Sequence, residues 1–349
     1  MLQLERKSSD QRSWLPKPVL ITDQKWPHET VPVVSVCCLT YNHERFIREC
    51  LDGFLMQKTS FPVEILIHDD ASGDGTAEII REYAVQCPHI IKPILQLTNQ
   101  YSNGIKPFAA FVIPVARGGF IALCEGDDYW TDPYKLEKQV QFLEENTDFS
   151  ICFHKVKISS KSKIIDDYIT RNVPVVTDII ELARGNYMHT PSVVFRRHWL
   201  TLPDWFYNCP IDDYPLHMIN AEYGKIYKLD DVMCIYRVHD TNTWANQHPD
   251  NMRLKILAYL EAMIGNFQDV VNDLLIQRYE QIALDLAREY YNSGDLSKSS
   301  KLLIKAMQMA PISITKKFFG SNVPVVSQGR AEKTRARILK IIKSILPSS

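Results

Sequence analysis

The 349-residue sequence contains no apolar run near the roughly 20 residues that a membrane-spanning helix needs; its longest, Phe108 to Ala116, falls far short. Its first residues, MLQLERKSSDQRSW, are charged and polar where a signal peptide would carry an apolar core. A cytoplasmic protein is therefore expected, soluble or resting peripherally on the inner face of the cytoplasmic membrane. CxxC pairs are also missing: the eight cysteines stand singly or as the neighbours Cys37 and Cys38, which removes the usual structural zinc site. Several lie in apolar runs, so buried thiols in a reducing compartment are expected rather than disulfides. Net charge is scarce as well. A formal value of -1 gives no overall field to draw in a polyanion, and no nucleic-acid partner is expected.

With 45% hydrophobic and 23% charged residues, the composition is that of an ordinary globular chain, long enough for two domains or for one with an appendage. Residues 1–30 have no periodicity and read as an extended or partly disordered arm. From there, β-branched runs alternate with helical spacing. PVVSVCCLTYN reads as a strand ending in polar residues. HERFIRECLDGFLMQ follows as a helix with Phe46, Ile47, Cys50, Leu51, Phe54 and Leu55 on one face. VEILIHDD, the turn ASGDGT and a helix from Thr76 toward Gln86 repeat the unit. PILQL is a third short strand, Pro107 to Ala116 an apolar helix, and FIALCEGDDYW a buried strand that ends in Glu125, Gly126, Asp127 and Asp128. Apolar strands alternating with helices indicate an α/β fold with a mainly parallel sheet covered on both faces. Right-handed crossovers then bring Thr40 to Asn42, Asp69 and Asp70, and Glu125 to Asp128 to one edge of it. That is where such sheets bind ligands.

Farther on, KLEKQVQFLEEN is an amphipathic helix and SICFHKVKI a strand, and residues 159–177 read as a variable loop. Asp178 to Arg184 is a short helix, followed by the strand TPSVVFRR. Asp212 and Asp213 precede the apolar helix Leu216 to Tyr223, and taken alone such a pair more often caps the helix and complements its dipole. Two short strands broken at Asp230 and Asp231 then lead to His239. Beyond Asp250 the pattern is helical, with one pair of helices resembling a tetratricopeptide unit. Residues 316–349 hold eight Lys and Arg against the single acid Glu332, with Ile338, Ile341, Ile342 and Ile345 on one helical face. Such a tail suits contact with an anionic bilayer or docking on the protein itself. The expected domains are an arm (1–30), an α/β domain (31–245), a helical region (246–315) and the basic tail (316–349).

VSVCCLTYN, Gln57 in FLMQKTS, VEILIHDDASGDGT, GGFIALCEGDDYWTDPYKL, DDYPL and YRVH occur together in the order found in family 2 glycosyltransferases, which this chain resembles over residues 32–242. The resemblance is nearest to bacterial members of lipopolysaccharide, O-antigen and capsule pathways, and it implies the GT-A fold. It further implies that Thr40, Tyr41, Asn42, Asp70, Glu125, Asp127 and Lys106 bind the nucleotide sugar, with a UDP-linked donor favoured. Asp127, Asp128 and His239 would serve Mn²⁺ or Mg²⁺, and Asp213 or its neighbour Asp212 would be the catalytic base. Glu125 stands where the family's aspartate-x-aspartate motif usually has its first aspartate, which still leaves an oxygen donor. The implied activity is inverting, metal-dependent transfer of a sugar to a hydroxyl of a glycan or lipid-linked glycan. Two other readings are weighed against it. A nucleotidyltransferase would carry a glycine-rich basic loop after its first strand, and TYNHERF is not one. An inactive scaffold recruiting a biosynthetic partner would not need complete carboxylate sets.

Overall fold

The computed structural model describes residues 14–27, 29–161, 163–240 and 248–309. The basic tail at 316–349 and the first 13 residues of the arm lie outside them. What is described of the arm is tied down: Val19 and Leu20 pair antiparallel with Thr59 and Lys58, and Trp14 meets the edge of Phe61 with ring centroids 5.0 Å apart. Gln24 Nε2 donates to Thr59 O at 2.6 Å. A segment without periodicity is thus anchored by side chains that a pattern search does not weigh.

The strands are β1 (Val34–Thr40), β2 (Val63–Asp69), β3 (Ile91–Leu95), β4 (Phe120–Glu125), β5 (Tyr129–Trp130), β6 (Phe149–Ser160), β7 (Val194–Arg196) and β8 (Lys225–Val238). They run across the sheet as β8-β6-β7-β4-β1-β2-β3, with β5 joined to β8. Neighbours from β4 through β1 and β2 to β3 are parallel, as are β6 and β8, and the short β7 joins the two halves antiparallel. This is the mainly parallel sheet expected. Helices α1 (Ile47–Leu55), α2 (Thr76–Gln86) and α3 (Lys135–Glu145) cover it. Ile47, Cys50, Leu51 and Phe54 recur at helical spacing and are fully buried with strand residues such as Val36, Cys38 and Ile65. Each such side chain contributes about 1.5–3 kcal/mol by leaving water. All eight cysteines are thiols, and all but Cys87 are buried.

Register decides what reaches the rim. Leu39 lies opposite Glu125, and Thr40 opposite Asp69, so three parallel strands end level. Strand β3 lies at the end of the order, where Pro93 costs no interior ladder bond. Three expectations change. Residues 159–177 are not all loop: Lys163–Asp166 forms a hairpin with the end of β6, and Val176–Thr177 pairs with β8. The expected break at Asp230 and Asp231 is a bulge within one 14-residue strand, the pairing stepping from Leu229 to Val232. The helix over 107–116 is a π turn, Phe108–Val112, followed by a 3₁₀ turn, Ile113–Val115.

The chain divides into two compact units. The first holds the sheet and α4 (Asp213–Ala221). The second takes in Asn208–Ile211 and the helices α5 (Pro249–Met263), α6 (Asp269–Asn292) and α7 (Leu296–Met309). Within it, α6 ends at Gly294, whose φ of +84° suits glycine, and Asp295 N donates back to Tyr290 O at 2.8 Å. Among the described residues, no helix is long and apolar enough to cross a membrane.

Candidate active site

The turn after β1 and the turn after β2 are laced together. Thr40 Oγ1 donates to Asp69 Oδ1 at 3.0 Å, and Ser72 Oγ donates to the same oxygen. Asn42, at a φ of +56° that Asn tolerates better than most residues, receives Gly73 N–H on Oδ1 and donates its own N–H to Ser72 Oγ, both at 2.8 Å. Glu44 N donates to Asp74 Oδ2, and Gly75 N to Glu44 Oε2, both at 3.1 Å. Of the three TYN residues, only Tyr41 presents a large open side chain, 49% exposed. Asp70 is buried, and both its carboxylate oxygens accept backbone N–H groups, Gln100 at 2.8 Å and Tyr101 at 3.0 Å. It therefore ties the loop after β3 to the rim.

The acidic turn after β4 packs directly on this lacing. A Cβ on Gly126 would stand 2.4 Å from Thr40 Cγ2 and 3.0 Å from His43 Nδ1. Gly126→Ala should therefore push the turn outward, lowering stability by about 1–3 kcal/mol. The measurement is the urea midpoint; an unchanged midpoint would mean the turn gives way freely. Downstream, Gln57 Nε2 donates to Asp132 O at 2.8 Å, and its Oε1 accepts Leu136 N at 3.1 Å, locking the chain that leaves the turn.

Strand β5 carries the turn to β8 through the Trp130–Cys234 pair, and this brings the YRVH stretch to the carboxylates. His239 Nε2 lies 3.0 Å from Asp127 Oδ2, and His43 Nε2 lies 3.8 Å from the same oxygen. Burial opposes ionisation of Asp127, yet the hydrogen bond from His239 and the charge of His43 hold its carboxyl below the usual range. Asp128 is placed differently. It is 1% exposed, and its Oδ1 accepts Arg237 N at 2.7 Å; burial and the charge of Asp127 raise its carboxyl well above the usual range. The Arg237 guanidinium donates to Asp127 O at 2.5 Å and lies over the Tyr129 ring at 4.3 Å.

Glu125, Asp212, Asp213, Thr190 and Phe108 line one cleft enclosing about 370 Å³, open solvent included. Glu125 keeps solvent access while crowded by protein. Burial first, then the charges of Asp127, Asp213 and Asp212, push its pKa up to about 8. Asp212 does not cap α4, since its side chain makes no cap hydrogen bond. Its Oδ1 pairs instead with Lys106 Nζ, which also lies 5.0 Å from the Phe206 ring centroid. Burial raises the Asp213 carboxyl above its usual range, against a hydrogen bond from the Tyr214 N–H that lowers it.

The Glu125 shift has a measurable consequence. A carboxyl raised from about 4.3 in the unfolded chain to about 8 in the folded one leaves the native state holding the extra proton. Its contribution to stability is present below the unfolded value and is lost as pH climbs through that window. In the presence of EDTA, the Tm advantage of Glu125→Gln over the wild type should widen from pH 5 to pH 8. A constant difference would remove the assigned repulsion.

The strand-end cleft at the carboxyl edge of the parallel strands, walled by acids, is the site architecture of GT-A nucleotide-diphospho-sugar transferases. The chain belongs to glycosyl transferase family 2, whose family model matches residues 35–192, and it is a glycosyltransferase. It is 39% identical over 238 residues to "Uncharacterized protein Rv1520" of Mycobacterium tuberculosis, covering 66% of this chain and 68% of that one. It is 28% identical over 270 residues to "Uncharacterized glycosyltransferase alr2836" of Nostoc sp., covering 73% and 79%. Among solved structures, residues 1–349 of Staphylococcus aureus TarS in complex with UDP-GlcNAc align with a TM-score of 0.58 at 17% identity, covering 80% of this chain and 81% of that one. At that identity the likeness speaks for the fold. Family membership sets aside the nucleotidyltransferase reading.

The residues that motif reading missed are those whose partners lie far along the chain. His43 and Arg237 meet Asp127 across about 84 and 110 residues. Arg237 lies within YRVH, so proximity to a motif residue was the available signal.

Proposed function

We propose that this glycosyltransferase moves a sugar, with inversion, from a nucleoside-diphosphate donor to a hydroxyl of a glycan or lipid-linked glycan in surface polysaccharide assembly. The observation that carries the reading is the shared cleft of Glu125, Asp212 and Asp213 beside the rim that holds Asp127 and His239. A UDP-linked donor is favoured, in keeping with the UDP-GlcNAc held by the TarS structure. Tyr41 lies open at the rim for the base. Thr40, Asn42 and Asp70 shape that pocket through the hydrogen bonds they already make.

The charge of the cleft suits Mn²⁺ or Mg²⁺. Glu125 is destabilised by its acidic neighbours, and Asp127 with His239 offers oxygen and imidazole donors at its edge. Among the described residues, no three His, Cys, Asp or Glu side chains form a ready cage. Mg²⁺ sites in phosphate-handling enzymes typically take one or two carboxylates and complete their shell with substrate phosphate and water. Asp127 and His239 would hold the cation, with Asp128 fixing the turn from behind. When bound, it would act as a Lewis acid that offsets the charge of the departing diphosphate.

Asp213 takes the proton of the acceptor hydroxyl as that oxygen bonds to the anomeric carbon from the face opposite the leaving group. The bond from that carbon to the diphosphate breaks, and both electrons leave with the nucleoside diphosphate. One displacement gives inversion. The test is incubation with Mn²⁺ and a panel of nucleotide sugars, scoring released nucleoside diphosphate. Turnover of one donor or a few is expected, and no binding or turnover with any would return the chain to the scaffold reading. Peripheral membrane contact through residues 316–349 is tested by co-sedimentation with anionic liposomes. Removing that segment should abolish it, and equal sedimentation would discard the tail as anchor.

A further inference from the structure

Two rings next to the lining of the acidic cleft have no part in donor chemistry. His189, 8% exposed, immediately precedes Thr190, which shares the cleft lining with Asp213. Its Nε2 lies 3.1 Å from Asp167 Oδ2. Asp167 is itself braced: Oδ1 accepts the N–H groups of Ile169 at 2.8 Å and Thr170 at 3.2 Å, and Oδ2 accepts the Thr170 hydroxyl. A carboxylate fixed this way draws the imidazole proton to Nε2 and leaves Nδ1 as a hydrogen-bond acceptor.

The Tyr236 ring lies 4.6 Å from that imidazole, tilted by 40°. Tyr236 is two residues beyond Cys234, which pairs with Trp130, and next to Arg237, whose N–H holds Asp128. The charges of Asp128, Glu125, Asp127 and Asp213 all bear on its phenol. Its hydroxyl makes no hydrogen bond among the described residues, and it is not a sealed, orphaned atom either. A tyrosine that only filled core space would be expected to find a partner for its hydroxyl.

We propose that His189 and Tyr236, with Asp167 as brace, form the acceptor subsite, which takes a carbohydrate through its hydroxyl groups. The inference rests on the glycosyl-transfer reading. The two tilted rings give an apolar face for the C–H surface of a sugar. The phenol and Nδ1 supply one donor and one acceptor that hold its hydroxyls beside Asp213. A few placed polar groups on an aromatic wall are what orient a small ligand in a pocket. The competing reading has the Asp167–His189 pair merely pin residues 163–177, which would lower every activity in proportion.

Two rates separate these readings. With a donor found by the panel and Mn²⁺, nucleoside diphosphate released in water alone reports donor turnover. Sugar incorporated into a panel of methyl glycosides reports use of the acceptor. Absence of any donor turnover would fail the glycosyl-transfer reading itself. Given donor turnover, Tyr236→Phe, which keeps the ring, should lower the ratio of transfer to hydrolysis about tenfold and raise the acceptor KM. His189→Ala should lower the ratio at least as far, with partial recovery in His189→Gln. A ratio changed by less than about threefold in Tyr236→Phe overturns the subsite. So does a wild type that hydrolyses the donor but transfers to none of these hydroxyl probes.

Discussion

Asp213→Asn should reduce kcat for transfer by about 10²–10⁴ while donor affinity stays close to that of the wild type. The substitution keeps shape and removes only the ability to take a proton. Asp213 opens α4 and faces the cleft shared with Glu125. Its neighbour is already committed, because Asp212 is paired with the buried Lys106. A carboxylate held by the Lys106 ammonium is not free to turn to an acceptor hydroxyl, so Asp212→Asn should cost less in kcat than Asp213→Asn. The pH profile adds a second reading. A base works only when deprotonated, and burial raises the Asp213 carboxyl. The acid limb of kcat/KM should therefore lie above the ordinary aspartate range of about 3.9 and vanish in Asp213→Asn. Turnover within about threefold of wild type in that variant, against the expected factor of 10² or more, would move the base elsewhere.

The sequence disclosed what depends on local periodicity. Val34–Thr40, Ile47–Leu55, Val63–Asp69 and Thr76–Gln86 announce themselves because one face of each is apolar at the period of its element. Crossover handedness then puts Thr40, Asp69 and Glu125 on one edge, while the register itself, Thr40 with Asp69 and Leu39 with Glu125, is seen only in the structure. The pairing of Lys163–Asp166 with Lys157–Ser160 could not be read this way. That hairpin is short, and all four of its residues are exposed, so no buried face writes a pattern. Asp230 and Asp231 misled for the opposite reason: two polar residues usually end a strand, but a bulge lets them leave the ladder while it continues.

Site chemistry was legible as residue types and opaque as partnerships. Asp212 and Asp213 are alike as letters, and only the fold sends Lys106 to one of them. Asp127 and Asp128 are equally alike. Alternation along the turn sends Asp127 toward His239 and turns Asp128 inward to the Arg237 amide. The same holds for Gln57, whose place in the motif gave no hint that it locks Asp132 and Leu136. Elements written by a period survive translation from one dimension to three. Contacts spanning roughly a hundred residues are fixed by sheet order, which no local window contains.

These different fates give Asp127→Asn and Asp128→Asn opposite signatures. Burial opposes ionisation of Asp127, but the hydrogen bond to His239 holds its carboxyl below the usual range, whereas Glu125 is pushed up to about 8 by burial and its acidic neighbours. Asparagine at 127 removes the charge while keeping an oxygen near His239. Metal-dependent binding of UDP should weaken by at least about 10-fold, the lower end for removal of a supporting metal contact, and transfer should fall below detection. Asp128→Asn leaves the turn in place, because the asparagine oxygen still accepts the Arg237 N–H and the substitution removes a carboxyl that burial and Asp127 disfavour. Stability at neutral pH should be equal to or above that of the wild type, with metal-dependent binding retained. Calorimetric titration of UDP with and without Mn²⁺, beside urea unfolding, measures both. If Asp127→Asn binds UDP with Mn²⁺ as tightly as wild type while Asp128→Asn does not, the ligand is the inward carboxylate, and the turn must open to reach it.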